Sequence, residues 1–115
     1  MLFRSFEEAR QALEAAVTER PNYPSSQLSL GKLYLLGGQA ADAIAHLEKA
    51  RELSPENPSV YSNLAAAYRK AGDLQKAQEA LAALAKLNDA QAEKIRTAPG
   101  ETKASYAGTA SQPQH

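Results

Sequence analysis

The amino-acid sequence repeats itself at a fixed spacing of 34 residues. When residues 24–57 are aligned with residues 58–91, leucine, tyrosine, glycine and alanine recur at matching positions. The matched pairs are Leu30 with Leu64, Tyr34 with Tyr68, Gly38 with Gly72, Ala43 with Ala77, Leu47 with Leu81, and Leu53 with Leu87. Such self-similarity indicates a stack of similar structural units, because each unit buries its apolar face only against its neighbours.

The same spacing reaches back into residues 1–23. Four of these residues precede matching residues of the first full unit by 34 positions: Ala9, Leu13, Ala16 and Pro21. The pattern predicts that residues 5–20 form the second helix of a preceding unit whose first helix is missing, with residues 1–3 as the last turn of that missing helix. Ser5 and Glu8 have the spacing of a capping box, which predicts a helix start at Ser5.

Local signals divide each full unit into two helices. Gly38 and Gly72 can adopt the left-handed backbone conformation that ends a helix, so each is expected to close the turn between a first and a second helix. Asn57 is a good N-cap and precedes Pro58, whose ring suits the first turn of a helix. Asp73 can cap the helix that follows Gly72.

Composition supports closely packed helices and argues against several functions. Alanine is abundant and aromatic residues make up only 6% of the chain, which favours helices that cross at small residues such as Ala43 and Ala77. Thirteen basic residues balance thirteen acidic ones without blocks of one sign, so nothing indicates nucleic-acid binding. Cysteine is absent, which excludes disulfides and thiolate metal sites.

No apolar run approaches the roughly 20 residues that span a bilayer, so no membrane insertion is expected. The N-terminal residues also lack the apolar core of a signal peptide. The compartment is unknown from the sequence. The cytoplasm is the default expectation, subject to whether the N-terminus of the parent protein is truncated.

The recurring residues resemble the signature of the tetratricopeptide repeat, a helix–turn–helix unit of 34 residues. In the first full unit the matching residues are Leu30-Gly31, Tyr34, Gly38, Ala43, Leu47, Ala50 and Pro55. In the second unit they are Tyr61, Leu64-Ala65, Tyr68, Gly72, Ala77 and Leu81, after which the pattern departs at Leu84 and at Asp89, which replaces proline. The resemblance implies an all-α fold, a right-handed α-α superhelix of about five helices, and leaves room for a short sixth helix.

The expected repeat domain covers residues 1–97. It consists of a half-repeat at residues 1–23, full repeats at residues 24–57 and 58–91, and a capping turn at residues 89–97. Ala92 and Ile95 would pack that turn back on the last repeat. Residues 98–115 begin with Ala98-Pro99-Gly100 and continue with mostly small and polar residues, which predicts a disordered tail.

No set of residues has the spacing of a catalytic or metal site. His46 is a lone helical histidine without a second histidine or cysteine at ligand spacing, which indicates a surface or partly packed residue. Glu7 and Glu8 belong to a helix start, where the helix dipole favours acidic side chains. Gly37-Gly38 is a turn that lacks the strand and lysine of a phosphate-binding loop. The sequence therefore predicts neither an enzyme nor a bound cofactor.

In stacked repeats the first helix of each pair lines a concave groove. The repeat register places ten side chains there: Leu28, Ser29, Lys32, Leu35, Leu36, Ser62, Asn63, Ala66, Arg69 and Lys70. An apolar strip beside a basic, hydrogen-bonding patch suits a peptide with one apolar anchor and an acidic group or free C-terminus. Structural roles stay open for several of them. Leu35 and Leu36 can pack against the missing helix, Asn63 can serve the fold, and Arg69 and Lys70 suit a helix C-terminus.

Three functions follow as hypotheses. The first is a protein–protein interaction module that binds a peptide or protein partner, at the C-terminal end of a longer repeat protein. The second is an accessory repeat tail of a larger enzyme or sensor protein. The third is weak self-association through an apolar face of the N-terminal helix that carries Phe3, Phe6 and Leu13. A chaperone-type carboxylate clamp is not expected, because neither register of the repeats supplies the full set of its Lys, Asn and Arg residues. In the first register Leu28 stands in place of Lys and Lys32 in place of Asn, and only Asn63 matches.

Overall fold

The computed structural model describes residues 2–97, with side chains from Ser5 onward. Within these residues the chain forms α-helices and no strand: α1 (Leu2–Glu19), α2 (Pro24–Leu36), α3 (Ala40–Leu53), α4 (Pro58–Lys70) and α5 (Leu74–Arg96). The prediction of an all-α fold with five helices is confirmed. One compact unit ends at Leu84, and the remainder of α5 belongs to a second unit. The predicted disordered tail, residues 98–115, lies outside the described residues.

The turns between helices follow the local signals in the sequence. Gly38 and Gly72 have φ angles of 79° and 85°, in the left-handed region that side chains other than glycine's rarely adopt. Asn57 caps α4, since its side-chain oxygen accepts a hydrogen bond from the Ser59 backbone N–H at 3.0 Å. Asp73 caps α5 in the same way, accepting from the Lys76 N–H at 3.1 Å. These predictions are confirmed.

Two predicted boundaries are wrong. Helix α1 begins at Leu2, so Ser5 lies inside the helix and does not cap it, and Leu2 and Phe3 belong to α1 itself. At the other end, α5 runs without a break through the predicted capping turn at residues 89–97 as far as Arg96. The reason is local: no glycine or proline interrupts either segment, and Asp89 stands where a proline would have ended the helix.

The core of the first unit lies where the helices cross. Its largest fully buried side chains are Leu30, Leu47, Val60 and Leu64. Around them lie alanines with almost no exposed surface, which lets the helices approach closely. The approach of α2 to α3 is tightest at Gly31, where an added Cβ would lie 2.6 Å from the Cγ of Leu47. Helix α2 also packs against α1 and α4, and α3 packs against α4.

Some apolar positions of the second pair are more exposed than the repeat pattern predicts. Leu81 stands at the repeat position of Leu47, but 42% of its surface is exposed whereas Leu47 is fully buried. The difference arises because α3 is covered by both α2 and α4, while no helix follows α5 in the part of the chain that is described. Ala92 and Ile95, which belong to the second unit, are exposed, and their packing on the last repeat stays a prediction.

None of the helices among residues 2–97 is long and apolar enough to cross a membrane.

Candidate binding site

All ten predicted groove residues lie on α2 or α4, two helices that contact each other directly. Six of them are exposed, and we refer to this set as the α2–α4 surface: Ser29, Lys32, Leu36, Ser62, Arg69 and Lys70. The other four are half-buried: Leu28, Leu35, Asn63 and Ala66. The side chains that a partner can reach are therefore more polar and more basic than the predicted set as a whole.

The half-buried members have structural contacts. Leu28 and Leu35 pack against the hydrophobic core. Leu35 therefore has a structural contact, although it is with the core of this chain and not with a missing helix. Asn63 donates a hydrogen bond from its Nδ2 to the backbone oxygen of Ser59, 2.8 Å away, within its own helix. This bond holds the amide in place and makes Asn63 a part of the fold.

The exposed members combine one apolar side chain with three cations. Leu36 exposes 82% of its surface, the largest fraction among the large apolar side chains that are described. Lys32, Arg69 and Lys70 take part in none of the salt bridges formed among residues 5–97. Arg69 and Lys70 also lie in the last turn of α4, where the helix dipole favours cations, so part of their role is to stabilise that helix.

A tyrosine–glutamate hydrogen bond joins each full helix pair to the helix before it. The Tyr34 hydroxyl donates to Oε2 of Glu14 on α1, and the Tyr68 hydroxyl donates to Oε2 of Glu48 on α3 at 2.5 Å. The two bonds are spaced by the repeat length, since both tyrosines and both glutamates are 34 residues apart. Sequence reasoning missed them, although the glutamates recur in the same register as the tyrosines.

These bonds shift the pKa values of the groups that form them. The hydrogen bond from Tyr34 lowers the pKa of the Glu14 carboxyl, and the same bond raises the pKa of Tyr34. For Tyr68 the main cause is burial, followed by the hydrogen bond to Glu48, and together they raise its pKa to about 12. Both tyrosines are therefore neutral donors at physiological pH.

A second periodic hydrogen bond ties the start of each pair to the preceding loop. Gln27 donates from Nε2 to the Pro21 carbonyl oxygen at 2.7 Å, and Tyr61 donates from its hydroxyl to the Pro55 carbonyl oxygen at 2.8 Å. Donors and acceptors again differ by 34 positions, although the donor is an amide in one pair and a phenol in the other. Each bond satisfies a carbonyl that a proline turn leaves without a helical partner.

In the first pair, the side chain of His46 contacts both Gln27 and Tyr34. Its Nδ1 lies 2.9 Å from Oε1 of Gln27, and because that oxygen is an acceptor, Nδ1 carries the proton of this bond. Its ring stacks on Tyr34, with 5.6 Å between centroids and an angle of 14° between planes. His46 is therefore partly packed, which is one of the two alternatives that the sequence left open.

The corresponding space in the second pair is open, because Ala80 stands where the first pair has His46. The opening is a cleft of about 180 Å³, which we call the Ala80 cleft. It is lined by residues of α3, α4 and α5: Glu48, Arg51, Tyr61, Leu64, Tyr68, Lys76, Glu79, Ala80 and Ala83. None of these residues belongs to the α2–α4 surface.

Two residues of the apolar face on the N-terminal helix, Phe6 and Leu13, are half-buried by contacts within the chain. Leu13 packs against the core of the first unit. Phe6 is half-buried and lies against Gly37, where an added Cβ would come within 2.5 Å of the ring. The side chain of Phe3 lies outside the described residues. Among residues 2–97, no three His, Asp or Glu side chains gather in a way that could hold a metal ion.

The fold and the surface define a helical repeat protein, and the comparisons with known proteins give the family. The tetratricopeptide repeat matches the chain twice, over residues 3–58 and over residues 35–98. The chain therefore belongs to the tetratricopeptide-repeat family, as its sequence pattern predicts. Repeats of this kind form protein–protein interaction modules, typically non-catalytic ones, and this chain carries the repeats of such a module.

Relatives and solved structures are similar to parts of the chain. Peroxisomal targeting signal receptors from Komagataella phaffii and Komagataella pastoris are each 39% identical over 61 residues, which is 53% of this chain and 11% of the receptor. Two crystal structures of MamA superpose with TM-scores of 0.74 and 0.72, at 22% and 20% identity. They cover 80% and 87% of this chain, which spans about half of each MamA chain.

Proposed function

We propose that the chain is a non-catalytic binding module whose α2–α4 surface takes a segment of a partner protein with one apolar anchor and an acidic group. The observation that carries the proposal is that Leu36 and three cations are exposed on α2 and α4, two helices that contact each other. Leu36 supplies apolar area that a partner side chain can cover, and the cations favour a carboxylate or a chain terminus.

The family supports a polypeptide as the ligand, because tetratricopeptide repeats present the first helix of each pair to their partners. The matched relatives from Komagataella are named as receptors for a targeting signal, which agrees with a polypeptide as the partner. The segment should carry an acidic side chain or a C-terminal carboxylate that binds Lys32, Arg69 and Lys70. It should also carry an apolar residue that packs on Leu36.

The test is a selection from a random peptide library displayed with free C-termini, followed by affinity measurements on the selected peptides. The binding variant replaces Lys32, Arg69 and Lys70 with glutamate. Its matched control replaces the exposed cations Lys86, Lys94 and Arg96 with glutamate, which makes the same change in net charge. Circular dichroism establishes that both variants are folded.

We expect the selected peptides to be enriched in acidic residues. The binding variant should lose at least about tenfold in affinity, while the control should stay within about twofold of the wild type, because only the first set faces the peptide. Leu36→Ser should weaken binding without changing its dependence on salt. Equal affinity of the binding variant and the control would place the peptide on another surface and contradict the proposal.

A further inference from the structure

We propose that the Ala80 cleft is a second binding site, and that it takes a histidine side chain of a partner polypeptide. The cleft shares no residue with the α2–α4 surface, so the two proposals stand or fall separately. Its occupant is indicated by the molecule itself, since the first helix pair holds a histidine in the equivalent place.

The two pairs present the same kind of pocket, one filled and one open. In the first pair His46 stacks on Tyr34, whose hydroxyl is bound by Glu14. In the second pair Tyr68 and Glu48 form the same hydrogen bond, and the ring that would stack on Tyr68 is missing because position 80 is alanine. The tyrosine platform is therefore kept while its internal partner is absent.

The dimensions fit a single aromatic ring. The volume of the cleft, about 180 Å³, is close to the 150 Å³ of an engineered protein cavity that binds benzene. The wall contributed by Leu64 is apolar, since that side chain is part of the core. The side chain of Lys76 lies with its Nζ 5.7 Å from the Tyr68 centroid, and because Lys76 is exposed it can be displaced by a ring that stacks there.

The polar groups at the cleft favour imidazole over a plain hydrocarbon ring. Tyr61 takes the place of Gln27, the acceptor for His46, and its hydroxyl oxygen can accept a hydrogen bond from an imidazole N–H while its proton goes to Pro55. Glu79 adds an exposed carboxylate at the rim, which suits a ring that carries a second N–H. A phenyl ring would leave both groups without a new partner.

The experiment is a titration of the folded chain with N-acetyl-histidine methylamide, followed by the backbone amide signals in two-dimensional NMR. N-acetyl-alanine methylamide is the control probe, and N-acetyl-phenylalanine methylamide tests for a plain apolar site. Two variants exchange the histidine of the first pair and the alanine of the second. Ala80→His fills the cleft from within, and His46→Ala opens the equivalent space in the first pair.

We expect saturable shifts at Tyr68, Ala80 and Ala83 with the histidine probe, with a Kd in the millimolar range and at least about tenfold weaker binding of the alanine probe. Ala80→His should abolish these shifts. His46→Ala should retain them and add a second set of shifts around Tyr34, an outcome that does not depend on how well Ala80→His folds.

Three outcomes would overturn the proposal. The first is the absence of saturable shifts in the wild type, or equal shifts in Ala80→His. The second is equal or tighter binding of the phenylalanine probe, which would make the cleft an apolar site. The third is movement of the same amides when the protein is concentrated without a probe, which would assign the cleft to a second copy of the chain.

Discussion

The two full helix pairs share one repeat pattern but are stabilised differently. In the first pair, α2 and α3 are packed tightly: Gly31 brings the helices together, Leu47 is fully buried and His46 fills the space beside Tyr34. Neither of these helices has a side-chain N-cap hydrogen bond. The first pair is thus held mainly by side-chain packing.

The second pair differs in both respects, since it has side-chain caps and is packed less tightly around α5. Both α4 and α5 have side-chain caps, supplied by Asn57 and Asp73. Packing is looser, because Ala80 leaves a cleft and Leu81 is 42% exposed. A shared repeat register thus fixes where helices begin and cross, while the residues between the signature positions decide which interactions stabilise each pair.

The largest expected effect contrasts the two equivalent leucines. Leu47→Ala should lower the free energy of unfolding by about 2–5 kcal/mol, because it leaves a cavity in a fully packed core. Leu81→Ala should cost less than about 1 kcal/mol, because much of that side chain already meets water. Urea unfolding followed by circular dichroism measures both. Similar losses for the two variants would show that the pairs are equally packed.

Much of the fold was predictable because it depends on local rules. A left-handed backbone at Gly38 and Gly72 follows from the turn that joins two helices, and the caps at Asn57 and Asp73 follow from their short polar side chains. The burial of Ala43 follows equally from its place in the repeat, where helices cross. Each of these features requires only a few neighbouring residues and the register.

The features that could not be predicted depend on residues far apart in the sequence. The bond between Tyr34 and Glu14 joins side chains 20 positions apart, and it becomes evident only when α1 lies beside α2. The exposure of Leu81 depends on whether another helix covers α5. The Ala80 cleft needs three helices to be in place, because a small residue opens a space only where larger ones surround it.

Among the candidate site residues, the repeat register predicted the helix but not the exposure. It placed all ten on α2 and α4, yet Leu28 and Leu35 pack against the core. One helical turn can point a leucine toward a partner or toward a neighbouring helix, and the choice depends on which helices pack nearby. Helix α1, which is longer than predicted, is such a neighbour, since it packs against α2.

A smaller effect tests whether caps matter more to the second pair. Asp73→Ala should cost about 1 kcal/mol, since it leaves the Lys76 N–H without its side-chain acceptor. Gln39 occupies the matching position before α3 and makes no cap, so Gln39→Asp should gain up to about 1 kcal/mol. Gln39→Ala is the control and should be nearly neutral. Thermal unfolding of the three variants measures the differences in stability. If Asp73→Ala leaves the stability unchanged, side-chain capping does not distinguish the second pair from the first.

The smallest expected effect concerns the pH dependence of the tyrosine–glutamate bonds. Burial, aided by the bond to Glu48, raises the pKa of Tyr68 from its ordinary value of 10.0 to about 12, so folding favours the neutral phenol. The stability that this preference contributes is fully present below pH 10 and is lost as the pH rises from 10 through 12.

The stability difference between the wild type and Tyr68→Phe should therefore narrow as the pH is raised from 9 to 11, as measured by urea unfolding. The equivalent bond offers a comparison, because the pKa of Tyr34 is raised mainly by the hydrogen bond to Glu14 and only secondly by burial. Glu14→Gln should then weaken the largest cause of the raised pKa of Tyr34, whereas Glu48→Gln should leave burial, the largest cause of the raised pKa of Tyr68, in place. NMR titration of the tyrosine rings measures both values. Equal responses to the two substitutions would show that the tyrosines of the two pairs occupy equivalent environments after all.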